Sequence, residues 1–141
     1  MSKTKIYIDG ACIGNPGKSG AGVVFYNEKG QQLCELSHYL GEATNNIAEY
    51  QSLILALKKA MEIGLDNLFI YTDSELIARQ INGFYKVRDK KLKLLYKKAM
   101  ELLTNFKSVR VRHISRDENK YADRLAMQAV KKEKGDASIF A

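Results

Sequence analysis

The sequence predicts an α/β domain: a mixed five-stranded sheet, three antiparallel strands and then two parallel ones, with helices on both faces. Three observations carry this. Over roughly the first 40 positions apolar residues alternate with polar ones between turn residues, the pattern of an antiparallel meander. From position 46 onward they recur at helical spacing instead. A short apolar run at 68–71 and an alternating segment at 109–113 are each reached through helical segments, so each lies parallel to a neighbour.

Residues 5–8 alternate and end in Asp9-Gly10, a strand and its break. Five of the ten glycines fall within residues 10–22, which reads as a loop whose backbone bends or approaches something closely. Residues 21–26 and 33–40 flank a turn at 27–30, and Cys34, Leu36, His38 and Leu40 share one face of the later strand. Thr44 and Asn45 offer an N-cap for a helix over about 46–63, closed by Gly64; Ile47, Tyr50, Ile54, Leu57 and Met61 form its apolar stripe. The run LFIY at 68–71 is apolar throughout, as a strand covered on both faces is. Ser74 caps a short helix to about Ile81, ended by Asn82-Gly83, and a highly basic helix follows at about 89–105. Val109, Val111 and His113 alternate with Arg110 and Arg112 in a half-buried strand, and Asn119 opens a last helix to about Lys132.

The 141 residues hold one proline, Pro16, and no linker, repeat or low-complexity stretch, so residues 1–141 read as one domain. A composition of 45% hydrophobic and 28% charged residues excludes a disordered chain, a collagen-like chain and a disulfide scaffold. The longest apolar run, LILAL at 53–57, is far short of the ~18 residues of a membrane span. The opening MSKTKIYIDG has no signal-peptide core, and Cys12 and Cys34 match no zinc or redox spacing, which reads as reduced thiols in a cytoplasmic protein. The net charge of +7 is uneven: residues 1–70 carry 6 basic and 7 acidic side chains, residues 71–141 carry 17 and 9. That asymmetry fits a polyanionic partner, nucleic acid or an anionic surface, or serves solubility alone.

Four acids occupy positions where a carboxylate is out of place. Asp9 and Asp73 end two strands, and in such sheets ligands bind beyond the carboxyl ends of the central strands. Glu49 lies about 80° from the centre of its helix's apolar stripe, at the core boundary. Asp123 shares the core-facing edge of the last helix with Ala126 and Val130. Singly, each has an ordinary reading as a cap or salt-bridge partner. Jointly, four in a basic protein point to a cation site, because clustered carboxylates repel unless cations sit between them. Oxygen ligands without a His/Cys cluster point to Mg²⁺ or Mn²⁺. Two such ions about 4 Å apart are the usual apparatus for in-line attack on a phosphodiester. A competing lead fails: Gly17-Lys18-Ser19 looks like the end of a phosphate-binding loop, but the glycine required five positions earlier is Cys12, and a strand follows where that loop needs a helix.

The segments IDGACIGNPGKSGAG (8–22), TNNIAEYQSLILAL (44–57), YTDSE (71–75) and HISRDENKYADRLA (113–126) resemble ribonuclease H of type 1, in the family's motif order and over nearly the whole chain. The resemblance implies a ribonuclease H-like fold and an endonuclease that hydrolyses the RNA strand of RNA/DNA hybrids, leaving 3′-hydroxyl and 5′-phosphate ends. It maps the family's metal-binding carboxylates onto Asp9, Glu49, Asp73 and Asp123, the acids already singled out, and a mobile catalytic histidine onto His113. A lone strand-end histidine is otherwise a structural hydrogen-bonder, and His38 has only that reading. The same likeness places Cys12, Gly14, Asn15, Asn45, Asn46 and Glu75 along the hybrid's minor groove, with Thr44 at a phosphate of the DNA strand. Short amides and exposed backbone suit the 2′-hydroxyls that distinguish RNA from DNA. Asn15 as a turn residue and Thr44 as a helix cap are compatible with those roles.

The chain departs from the family's usual pattern at Glu75, where glutamine is common, and in lacking room for a separate basic handle loop. In its place residues 86–98 carry seven basic residues and one acid, read as a phosphate-contacting segment that includes Lys90, Lys91 and Lys93, against the alternative of a solvated helix face. Phe84 and Tyr85 either pack on a sugar there or belong to the core, and Arg116 supports the site beside His113. The expectation is a monomer without an amino-terminal hybrid-binding module, acting with two Mg²⁺ ions, Mn²⁺ being a substitute. Two other readings stand beside it: a nuclease of the same architecture acting on duplex RNA or DNA, and a binding domain that kept the fold and lost the chemistry.

Overall fold

The computed structural model describes residues 3–132. Its elements are β1 (Thr4–Gly14), β2 (Gly17–Tyr26), β3 (Gln32–Ala43), α1 (Asn45–Glu62), β4 (Asn67–Thr72), α2 (Glu75–Ile81), α3 (Lys90–Leu103), β5 (Ser108–His113), a 3₁₀ turn (Arg116–Asn119) and α4 (Lys120–Lys132). The strands order as β3-β2-β1-β4-β5. β1, β2 and β3 form the antiparallel meander, and β4 runs parallel to both β1 and β5. The predicted mixed five-stranded sheet is therefore the observed one.

The period-2 alternation of the strands sorts side chains between two helical layers. Ile6, Ile8, Val23, Phe25, Leu68, Ile70 and Val111 face one side, where they meet Tyr50, Leu53 and Leu57 of α1 and Leu92 of α3. On the other side α4 lies along β2, with Ala122, Leu125, Ala126, Ala129 and Val130 buried. Helix starts follow side-chain caps: Thr44 Oγ1 accepts from the Ile47 N–H at 3.3 Å, Ser74 Oγ from Ile77 at 3.2 Å and Asp89 Oδ1 from Leu92 at 2.9 Å.

Four expectations need correction. The run at 68–71 is not covered on both faces: Leu68 and Ile70 are buried, while Phe69 and Tyr71 on the other face are only half-buried. Residues 10–22 are not a loop: β1 continues to Gly14, and β2 begins at Gly17. Most of these glycines are strand residues whose missing side chains let helices touch the sheet. A Cβ at Gly10 would sit 2.4 Å from the Ala48 carbonyl carbon of α1, one at Gly20 2.4 Å from the Ala126 oxygen, and one at Gly22 2.1 Å from the Ala122 oxygen of α4. Met61 is 41% exposed rather than core; Tyr50, Ile54 and Leu57 of the expected stripe are buried, joined by Leu53 and by Ala48, Ala56 and Ala60, whose small side chains suit so close a contact. Asn119 does not cap the last helix. Ser115 begins the turn before it, its N–H and hydroxyl both donating to Glu118 Oε1, and Asn119 points inward.

Replacing Gly22 with alanine tests the contact between α4 and β2. Gly22→Ala forces α4 away from the sheet and costs about 1–3 kcal/mol, the usual effect of overpacking. Urea denaturation should show a lower midpoint with an unchanged slope; an unaltered midpoint would show that α4 is not held against β2.

Candidate active site

Asp9 lies on β1 between Ile8, which belongs to the core, and Gly10, which admits α1. It is 4% exposed, an unusual burial for a carboxylate. Because α1 runs against Gly10, Glu49 arrives beside it, and Glu49 Oε1 accepts the Gly10 N–H at 2.8 Å. β4 lies parallel to β1, with Thr72 opposite Ile8, so Asp73 emerges level with Asp9. Asp9, Glu49 and Asp73 each offer an oxygen within 4.8 Å of the others. Asp123, half-buried on α4, is close enough to raise the Asp9 carboxyl but lies outside that tight triad.

Burial and mutual repulsion set the electrostatics. Desolvation first, then Glu49, Asp73 and Asp123, push the Asp9 carboxyl up to about 10. Desolvation and Asp73 push Glu49 up to about 8, against the opposing pull of the Gly10 N–H and the Arg116 charge. Such a cluster demands protons or a cation, and its all-oxygen donors suit a hard divalent ion.

One residue of the site is invisible to local sequence pattern. Asn119 is 1% exposed; its Nδ2 donates to the Ile8 carbonyl at 2.8 Å and to Asp73 Oδ2 at 3.2 Å. It thus ties β1, the third carboxylate and the start of α4 together, while its buried Oδ1 has no protein partner. The one signal in the sequence is its spacing, four residues before Asp123 and so on the same helical face.

Of the other expected residues, the structure gathers one group into a groove. Asn15, Thr44, Asn45 and Asn46 line an 830 Å³ cavity with Lys90 and Lys91, so the amino ends of α1 and α3 face each other across it. Asn15 Oδ1 accepts the Asn45 N–H at 3.0 Å, fixing the β1–β2 turn to the helix start. Gly14 forms that turn at φ +89°. The Cys12 thiol is turned inward among the carbonyls of Gly14 and Ala43 and the Ser19 hydroxyl, leaving its backbone as the part able to meet a ligand. Lys93 is exposed on α3 but outside the groove lining.

His113 and Glu75 lie elsewhere. His113 ends β5 opposite Thr72, next to Asp73, and is exposed. Glu75 pairs with Arg79, Oε2 to Nε at 3.0 Å, and both line a separate 760 Å³ cavity with His113. Glu75 is not among the clustered acids that could hold a metal ion. Arg116 opens the 3₁₀ turn, and its charge reaches Glu49. Phe84 is 73% and Tyr85 46% exposed, so neither is core.

Comparison with known proteins agrees with this geometry. Residues 7–129 match a protein family described as reverse transcriptase-like. The chain is 39% identical over 124 residues to a ribonuclease HI of Halobacterium salinarum, covering 88% of this chain and 62% of that protein. It is 37% identical over 129 residues to a bifunctional protein of Mycobacterium tuberculosis, covering 91% of this chain and 35% of that one. The chain thus spans less than two thirds of either relative. The crystal structure of LC11-RNase H1 in complex with an RNA/DNA hybrid superposes with a TM-score of 0.88 at 39% identity, covering 94% of this chain and 99% of that one.

The raised carboxyls make stability depend on pH in a defined direction. Without metal, the folded chain retains protons on Asp9 and Glu49 that an unfolded chain has released, so their contribution is complete below the ordinary carboxylate range. It is lost as pH rises through about 8 for Glu49 and about 10 for Asp9. In EDTA, wild type should lose more urea resistance than Asp9→Asn between about pH 5 and about pH 9, and saturating Mg²⁺ should remove the difference. Identical pH profiles for the two proteins in EDTA would contradict the clustering.

Proposed function

The chain belongs to the type 1 ribonuclease H family, and we propose that it is an endonuclease that hydrolyses the RNA strand of RNA/DNA hybrids, leaving 3′-hydroxyl and 5′-phosphate ends. The Asp9–Glu49–Asp73 triad, Asp9 buried and the other two half-buried, beside a groove of amides and lysines carries this reading. Asp9, Glu49, Asp73 and Asp123 would hold two Mg²⁺ ions, with Mn²⁺ a substitute; when bound, these supply activation of water and stabilisation of the leaving 3′-oxygen. Asn119 holds the Asp73 carboxylate in one orientation through its Nδ2 donor. His113, exposed at the strand end beside Asp73, is positioned to carry a proton to or from the reacting phosphate, and Arg116 adds positive charge beside Glu49.

Recognition is divided between two chemistries. The amides of Asn15, Asn45 and Asn46, with the backbone of Cys12 and Gly14, meet 2′-hydroxyls in the minor groove, and the Glu75 carboxylate is a further acceptor. Thr44 and the exposed lysines Lys90, Lys91 and Lys93 meet phosphates. The protein acts as a monomer in the cytoplasm. Two free cysteines support a reducing compartment, and no described helix is long and apolar enough to cross a membrane. A silent binding domain is disfavoured because a buried carboxylate cluster weakens attraction for a polyanion.

Incubation with labelled RNA/DNA, RNA/RNA and DNA/DNA duplexes, with and without Mg²⁺ or Mn²⁺, tests the assignment. Metal-dependent cutting of the RNA in the hybrid is expected, and cutting of RNA/RNA alone would favour the duplex-RNA reading. Asp9→Asn should lose activity by several orders of magnitude while still binding hybrid, whereas His113→Ala should slow turnover by about 10²–10⁴-fold without abolishing it. Near-normal turnover by folded Asp9→Asn would sink the metal-carboxylate mechanism.

The lysines predict a different signature. Neutralising Lys90, Lys91 and Lys93 to glutamine should raise KM and leave kcat nearly unchanged, since phosphates are held alike in ground and transition states. Each lysine–phosphate pairing so removed should shallow the log K against log salt line by about 0.7–0.9. Superimposable lines for wild type and triple variant would show that this face merely carries charge into water.

A further inference from the structure

The sheet has a face that its helices leave partly open. On the side opposite α1 and α3, α4 packs on β1, β2 and β3. Beyond it, where β1, β4 and β5 continue the sheet, the alternation that sends Ile70 and Val111 into the core turns Tyr71, Arg110 and Arg112 outward. The result is an ordered grid. Lys5, Phe69 and Arg110 stand in one row across β1, β4 and β5, and Tyr7, Tyr71 and Arg112 stand in the next.

The rings of this grid are organised. Tyr7 and Tyr71 stack with centroids 4.9 Å apart and planes at 23°, and Tyr26 meets Tyr7 edge-on at 5.8 Å. Lys3 Nζ lies 5.1 Å from the Phe69 centroid. Tyr7 occupies the β1 side of Tyr71, while the β5 side opens into the 760 Å³ cavity already met at Glu75, Arg79 and His113, to which Phe69, Tyr71, Arg110 and Arg112 contribute from this face. A smaller cavity of 310 Å³ opens beside Lys5, Tyr7 and Tyr26 on the same face. Lys5, Arg110 and Arg112 are exposed, and among the described residues no carboxylate forms an ion pair with any of them. Aromatic rings interleaved with unpaired cations on an open sheet are what unstacked bases and their phosphates require: rings for the bases, guanidinium groups for the phosphates. A duplex, whose bases are already stacked, gains nothing from the rings.

The position adds to this. Tyr7 precedes Asp9 by two residues on β1, and Tyr71 precedes Asp73, just past the end of β4, by two, so the stacked pair begins about 6.6 Å below the carboxylates. The groove of Asn45, Lys90 and Lys91 is a separate cavity that shares no lining residue with this face.

We propose that Tyr7, Phe69, Tyr71, Arg110 and Arg112 form a second nucleic-acid surface, which takes an unpaired RNA or DNA strand. It goes beyond the hybrid nuclease reading and does not need that reading to hold.

The test is binding without cleavage. Fluorescein-labelled single strands of oligo-U and oligo-dT, about eight nucleotides long to match the span of such platforms, are titrated with the full chain in EDTA and followed by anisotropy across a salt series. Wild type should bind both. Arg110→Gln/Arg112→Gln should weaken binding and shallow the log K against log salt line by about 0.7 for each arginine. Tyr71→Leu should weaken it about tenfold without changing that slope, because removing a stacked ring releases no counterion. The Lys90/Lys91/Lys93 glutamine variant should lose less single-strand affinity than Arg110→Gln/Arg112→Gln does. Absence of single-strand binding by wild type overturns the proposal, as does wild-type affinity in Arg110→Gln/Arg112→Gln, or a greater loss of binding in the lysine variant instead. Hybrid cleavage by the same wild-type preparation, measured with Mg²⁺, separates the two readings: cleavage without single-strand binding removes only this surface, and single-strand binding without cleavage removes only the nuclease.

Discussion

Two helices must touch the sheet almost backbone to backbone, and most of the site follows from that contact. Gly10 admits α1 and Gly20 and Gly22 admit α4, at distances where any Cβ would overlap a helix backbone atom. Glycine in a strand is ordinarily unfavourable, by roughly 0.5–1 kcal/mol against alanine. Here that cost brings Glu49 and Asp123 down to the level of Asp9, which a helix at ordinary packing distance from the sheet would not do. The alanines of the two helices, Ala48, Ala56 and Ala60 on α1 and Ala122, Ala126 and Ala129 on α4, complete the same contact from the other side.

The proximity creates an electrostatic problem that the fold only partly relieves. Burial and mutual repulsion hold protons on Asp9 and Glu49 far above the usual carboxylate range. Two groups work against this at Glu49: the Gly10 N–H and the Arg116 charge. Neither is a full counter-charge within the cluster. The metal-free site is therefore strained toward protonation, and a hard divalent cation relieves that strain most directly.

The basic charge of the second half of the sequence resolves into distinct places. Lys90 and Lys91 border the groove at the amino ends of α1 and α3, while Arg110 and Arg112 stand on the open sheet face next to aromatic rings. The first place pairs lysine with short amides, the second pairs arginine with aromatic side chains. Lysine acts as a point charge toward a phosphate, whereas arginine also stacks, so the two surfaces are chemically unlike although both are cationic.

Much is legible from local pattern alone. Strand alternation, helix caps at Thr44 and Ser74, and the order of elements are short-range properties, written in neighbouring residues and recovered in the structure. The four carboxylates are legible too, because an acid at a strand end or core boundary breaks its own local pattern. The glycine-rich stretch at 10–22 reads as a loop because glycine signals a turn locally, and only a helix arriving from 30 or more residues away makes it a strand residue. Asn119 looks like a cap for the same reason; its real partners, Ile8 and Asp73, are 111 and 46 residues distant. The sequence by itself determined the kind and order of the elements and which acids are misplaced, since those depend on neighbours along the chain. Only the tertiary structure decided that three of those acids crowd within 4.8 Å while Asp123 stands just outside, that Glu75 turns to Arg79, and that part of one sheet face stays open, because each is settled by how closely remote backbones approach.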